Sequence, residues 1–190
     1  MLNRFRFDRI SRFARDRRGV SAVEFAFIAP VMIGLYLGCA EISDGVAADR
    51  KVSLISDTLA NLGAQVTSIS SAQMTNILDA SGAIIAPYSA SNLQMTLSCI
   101  KVDSTGVAKV QWSATRNGTA RTAGSVYTFP SGSTALAVNG SWLLLAEVSY
   151  AYRPTVGYTI SGTLTLSDKM YMAPRISPPS YGDATPVSCT

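Results

Sequence analysis

The chain has 190 residues, 47% of them apolar and 15% charged, a balance that argues against disorder and suits one modest domain plus a membrane segment. The formal charge of +4 is unevenly placed: residues 1–19 hold seven arginines against Asp8 and Asp16, while residues 20–190 hold nine basic and ten acidic groups. The body thus offers no basic patch for nucleic acid, and the lack of any histidine excludes Ser-His-Asp and Cys-His catalysis and imidazole metal ligands.

Residues 1–19 form a basic arm of Arg4, Arg6, Arg9, Arg12, Arg15, Arg17 and Arg18, ending at Gly19. The next 21 residues, Val20 to Ala40, are apolar except for Glu24 and carry Pro30 in their middle. At about 1.5 Å per residue such a helix spans about 30 Å, the thickness of a bilayer core. With the positive charge all on one side, residues 1–19 are expected to be cytoplasmic and the rest exported. Pro30 removes one helical hydrogen bond and predicts a kink. Gly34 and Gly38 would permit close helix approach.

Residues 41–87 read as an exported helical region. Ile42, Val46, Leu54, Ile55, Leu59, Leu62 and Val66 recur mostly at three- and four-residue steps, opposite Asp49, Arg50, Lys51 and Asp57. Gly63 lies near the expected end of this helix. A second helix should start at the Ser70-Ser71 pair, carry Met74, Ile77 and Leu78, and stop before Pro87. Over 88–173 the period changes to two. Leu93, Met95, Leu97 and Cys99 share one face of a strand; Ala108, Val110 and Trp112 share a face of the next. Leu144, Ala146, Val148, Tyr150 and Tyr152 define a third, and Ile160, Leu164 and Leu166 a fourth. This alternation predicts an antiparallel sheet with one buried and one wet face, covered by the helix of residues 41–66. Asp103–Gly106 and Asn117-Gly118 are expected turns, and the sequons at Asn117 and Asn139 are read first as turns. Residues 174–190, with four of the eight prolines, are expected to be an extended or mobile tail. The fold class is therefore α+β, a long helix packed on a C-terminal sheet.

The three cysteines are widely spaced and lack the pattern of a zinc or CxxC redox site. Cys99 and Cys189 are candidates for a disulfide in an oxidising compartment; the other reading is two separate thiols, one in a strand and one on the tail. No metal, cofactor or catalytic residue is expected, because Lys101, Lys109, Lys169, Asp103 and Glu147 are scattered over strands and turns.

Glu24 carries the functional signal. A carboxylate in lipid costs about 2.5–3.5 kcal/mol at mid-helix and less near an end, so it calls for a reason. It is the fifth residue after Gly19, and Arg17-Arg18 precede that glycine. This arrangement resembles the cleavage site of type IV prepilins, in which a membrane peptidase cuts after glycine. The resemblance implies processing between Gly19 and Val20. A new ammonium on Val20 would then lie one helical turn from Glu24, or meet that of a neighbouring subunit.

The wider stretch RRGVSAVEFAFIAPVMIGLYLGCAEI, Arg17 to Ile42, is similar to the TadE-like family of minor pilins or pseudopilins of the tight-adherence (Tad/Flp) pilus. Glu24-Phe25, Ala29-Pro30 and Glu41 carry the likeness, with weaker support from Val148–Pro154 (VSYAYRP) and Met172–Arg175 (MAPR). Residues 67–140 add no motif. The family implies a prepilin peptidase, other Tad pilins, an ATPase and inner-membrane platform proteins as partners, and contact with membrane lipid. Two rivals remain. One is a surface or periplasmic lipoprotein or binding module anchored near Cys39, although Tyr36 and Glu24 fit a lipoprotein signal poorly. The other is an adhesive module using Tyr150, Tyr152, Tyr158 and Tyr171 as contact surface.

Overall fold

The computed structural model describes residues 18–154 and 162–183, together with Val187 and Cys189. The arm up to Arg17, Ile160 of the expected fourth strand and Tyr158 of the candidate contact surface lie outside the described residues.

One helix, α1, runs unbroken from Arg18 to Ala64, 47 residues, with Pro30 inside it. At about 1.5 Å per residue it is some 70 Å long, more than twice a bilayer core. Its upper half lies on the sheet, along a stripe that keeps Ile55 and Leu59 of the expected one but not Ile42, Val46 or Leu54. The buried positions are Glu41, Gly45, Ala48, Val52, Ile55, Ser56, Leu59, Ala60, Gly63 and Ala64, whereas Ile42, Val46 and Leu54 are exposed. Small residues decide this. A side chain at Gly63 would stand 2.9 Å from Leu97 Cδ2 and 3.5 Å from Leu144 Cδ1. The glycines and alanines bring the backbone close to the sheet, where Val52, Ile55 and Leu59 are fully buried, while Ile42, Val46 and Leu54 turn outward.

The helix ends as anticipated after Gly63, and the tail closes it. The Arg175 N–H donates to the Ala64 carbonyl at 3.0 Å and Arg175 Nη2 to Asn61 Oδ1 at 2.7 Å, using carbonyl and amide groups near the C-terminus. A short strand, β1 (Ser68–Ile69), leads to α2 (Ser71–Gly82). Ser70 is the N-cap of α2, and with Gln73 it forms a reciprocal capping box. A single 3₁₀ turn, Ala83–Ile85, follows, and the Ala86–Pro87 bond is cis.

The sheet contains β2 (Leu93–Val102), β3 (Ala108–Arg116), β4 (Val126–Tyr127), β5 (Trp142–Tyr152) and β6 (Leu164–Met172), in the order β4-β3-β2-β5-β6, all antiparallel. The fourth long strand extends to Met172, so the MAPR stretch begins at a strand end. The fold is α+β: a helix layer on one face of an antiparallel sheet.

The simple division into a buried and a wet face does not hold. Between Cys99 and Ile100 the pairing slips, so that Cys99 faces Trp112 and Ile100 faces Val110. Gln111 is the extra residue of this bulge, which switches the faces of β3. Trp112 and Ala114 join the helix-side core, while Ala108 and Val110 pack on the opposite side with Ile100, Val102, Tyr127, Phe129, Leu143 and Leu145. The second core lies away from α1. The same outer face carries hydroxyl pairs, Thr96 with Thr115 and Ser98 with Ser113, at 3.0 and 2.9 Å.

The tail is docked rather than loose among the described residues. Strand β7 (Ser180–Tyr181) pairs in parallel with β1. Trp112 Nε1 donates to the Pro179 carbonyl at 2.8 Å, and the Trp112 and Tyr181 rings lie 5.4 Å apart. Both expected turns are present. The Asp103 carboxylate accepts from the Thr105 and Val107 N–H groups and the Thr105 hydroxyl, and Asn117 has a positive φ of 54°.

Candidate functional site

The part of α1 below the body is the site to account for. It is long and apolar enough to cross a membrane, and among the described residues nothing covers its most apolar window, which is 0% buried. Phe25 is 68% exposed, Phe27 75% and Tyr36 73%, values that water would oppose and lipid or another helix would accept. Gly19, Val20 and Glu24 are all helical and exposed, so Val20 and Glu24, four residues apart, share one face. Among the described residues a Cβ on Gly19 would meet nothing within 4 Å, and its φ lies outside the left-handed region. The fold therefore places no demand for glycine at this position.

Pro30 sits within the helix without ending it. From Pro30 upward, Pro30, Val31, Gly34, Leu35, Gly38, Cys39 and Ile42 line an open apolar groove of about 570 Å³. Cys39 is a free, exposed thiol at this level. The residue before it, Gly38, is buried.

Body and helix meet just above. Glu41 is 4% exposed and interacts with its surroundings, among them Tyr152. The Tyr88 hydroxyl donates to the Asp44 carbonyl at 3.1 Å, and the Tyr88 ring lies 6.3 Å from that of Tyr150 and 6.0 Å from that of Tyr152. Burial, then the nearby acidic and phenolic groups, pushes the hydroxyls of all three tyrosines above their ordinary pKa. Tyr150 and Tyr152 are 4% and 3% exposed, so they are core residues and not an adhesive surface. Tyr171 is half-buried, with its hydroxyl 2.6 Å from that of Tyr127.

On the outer face Arg121 grips Glu147 through Nε and Nη2 at 2.7 and 2.8 Å, and Lys169 Nζ adds a third contact at 2.9 Å. Burial opposes ionisation of Glu147, but the hydrogen bonds from Arg121 and Lys169 outweigh it and hold the carboxyl below its usual range. Arg121 also lies 5.0 Å over the Tyr127 ring. The scattered charges of the sequence thus include a three-member ion network that ties Arg121 to Glu147 and Lys169 on the sheet. Spacing in the sequence could not reveal it, since Arg121 lies 26 residues from Glu147.

Cys99 and Cys189 are joined as a disulfide across 90 residues, with Cα atoms 6.1 Å apart and both side chains fully buried. Ser56 Oγ donates to Asp168 Oδ2 at 2.5 Å, but Ser56 is fully buried and no substrate can reach it. Among the described residues, no group of three or more Cys, Asp or Glu side chains could hold a metal ion. The body, in short, presents packing and ion pairs, and the exposed chemistry lies on the helix.

A family model described as TadE-like protein matches residues 19–53, the stretch from Gly19 through the membrane-length segment and into the part of α1 that packs on the sheet. No curated protein and no solved structure matches the chain.

Proposed function

We propose that this chain, TadE-like over residues 19–53, is a membrane-anchored minor pilin or pseudopilin that takes part in assembling a Tad-type adhesion pilus. A TadE-like match supports a Tad-pilus role of a non-enzymatic kind, and the uncovered apolar helix supports membrane anchoring. In this reading a prepilin peptidase removes residues 1–19 by cutting between Gly19 and Val20. Phe25 and its neighbours hold the chain in lipid with the body on the periplasmic side. The same apolar surface then packs against other pilins as the subunit enters the filament, with platform proteins and an ATPase driving the transfer.

The observation that carries the proposal is a carboxylate five residues after a glycine that the fold does not need. Glycine at 19 makes sense for a peptidase that must approach the backbone closely, and Glu24 for an ammonium that appears only after the cut. In a low dielectric that pair attracts strongly, within one chain or between neighbours. The lipoprotein alternative requires cleavage between Gly38 and Cys39, and Gly38 is a buried residue in the middle of a continuous helix.

Mass mapping of the N-terminus from native membranes tests the reading. Val20 should be the first residue when the prepilin peptidase is present, and the uncut arm should persist when it is deleted. An intact arm in the presence of active peptidase would sink the proposal, and lipid on Cys39 would select the alternative.

A further inference from the structure

We infer that the lower rim of the body, formed by Pro87, Tyr88, Arg153 and Leu164, rests in the lipid headgroup layer while the helix is in the membrane. The inference depends on the reading of residues 20–40 as membrane-spanning. The helix then acts as a ruler. The apolar segment ends at Ala40, and Asp44 stands four residues, about 6 Å, above it. The headgroup layer on each side of a bilayer is roughly 5–8 Å thick. The Tyr88 hydroxyl bonded to the Asp44 carbonyl at 3.1 Å is therefore within that layer.

The sheet ends at the same height. Strand β5 descends along the helix, from Leu144 beside Gly63 to Tyr152, whose ring lies 6.0 Å from that of Tyr88. Tyr152 pairs with Leu164, the first residue of β6, so both strand ends lie near the level of Tyr88 and Asp44. Arg153 and Pro154 continue from there. The half-burial of Leu37 is consistent with a body that reaches slightly below Ala40.

The residue types suit this place. Tyrosine favours the boundary between hydrocarbon and water, and arginine can reach a lipid phosphate from it. Arg153 is exposed, Leu164 is 42% exposed, and on the adjoining helix Ile42 and Val46 are 54% and 47% exposed. Asp44 is an exposed carboxylate at the same level, so the rim is not a polybasic patch. Its attachment comes from apolar contact and from the rigid joint with α1. Since α1 is unbroken and packed on the sheet from Glu41 upward, the body cannot swing up while the helix stays in lipid. Withdrawal of the helix into a filament must lift the rim out of the headgroups.

Spin-label depth measurements on the full chain test this. In a Cys39→Ser background, nitroxides are attached at Arg153→Cys, at Val138→Cys on the opposite end of the body, and at Tyr36→Cys in the apolar segment. The protein is held in vesicles of phosphatidylethanolamine and phosphatidylglycerol. The ratio of oxygen to nickel-chelate accessibility at 153 should be several-fold above that at 138 and below that at 36. A label at 153 as aqueous as that at 138, with 36 reading hydrocarbon, overturns the rim while leaving the anchor intact. A label at 36 that reads aqueous overturns the anchor and the rim together.

Discussion

Removing the covalent tie of the tail should unfold the body far more easily while leaving the membrane helix unaffected. Cys189→Ser or Cys189→Ala opens a loop of 90 residues. In the chain-entropy account, closing a loop of that length removes about 4.6 kcal/mol of freedom from the unfolded chain. The native contacts of the tail remain available: the Trp112–Pro179 hydrogen bond, the β1–β7 pairing and the hydrogen bonds joining Tyr181 and Val187. The loss is therefore expressed mainly through the unfolded state. For a body of this size 1 kcal/mol moves Tm by about 2–4 °C, so a drop of about 9–18 °C is expected. Far-UV signal would be dominated by α1, which detergent keeps helical. Near-UV circular dichroism is the better assay, because Trp112 stacks on Tyr181 at 5.4 Å and reports the docked tail. Serine adds a buried hydroxyl to a fully buried site, at a cost of about 1–3 kcal/mol if it finds no partner, so alanine is the cleaner variant. Wild type treated with reductant should melt with the alanine variant. If both melt within about 2 °C of the oxidised protein, worth less than about 1 kcal/mol, the loop-closure reasoning is refuted.

Glu24→Ala should leave membrane insertion intact, since removing a carboxylate from lipid favours insertion by up to about 3 kcal/mol, while pilus counts by electron microscopy fall; unchanged piliation would contradict the assembly role. Gly63→Ala should be close to neutral by chemical denaturation, because a helix-propensity gain of about 1 kcal/mol offsets the 2.9 Å approach to Leu97. Gly63→Val should cost about 1–3 kcal/mol, since Leu97 is fully buried and cannot move aside; equal stability of the two variants would count against the close approach. Glu147 has a lowered carboxyl pKa, so its contribution is present above the ordinary carboxylate range and is lost as pH falls through the lower folded value. Glu147→Gln should therefore lower Tm at pH 7 and flatten the wild-type loss of stability below about pH 4.5; an acid limb of unchanged slope would show that the network does not contribute.

Much of this molecule was legible from residue order alone, because the relevant physics is local. An apolar run of bilayer length, its one carboxylate and the arginines before it depend only on composition along a single helix, and so does the family likeness that the match over residues 19–53 bears out. The α+β order, the Ser70 cap and the strands beginning near Leu93 and Leu144 follow from periodicity and capping chemistry.

Three matters were decided only by tertiary structure. The helix chose part of its core stripe by closeness: Ile55 and Leu59 are buried as hydrophobicity predicts, but Gly45, Ala48 and Gly63 also went inward while Ile42, Val46 and Leu54 went outward, which hydrophobicity alone does not foresee. The bulge at Gln111 sent Val110 and Trp112 to opposite faces, which period-two alternation cannot foresee because a single extra residue inverts it. The tail, rich in proline and without pattern, is held by partners 67 and 90 residues away in sequence, Trp112 and Cys99. What a segment can present to its surroundings is written in its own residues. Where it docks depends on surfaces that exist only after the chain has folded.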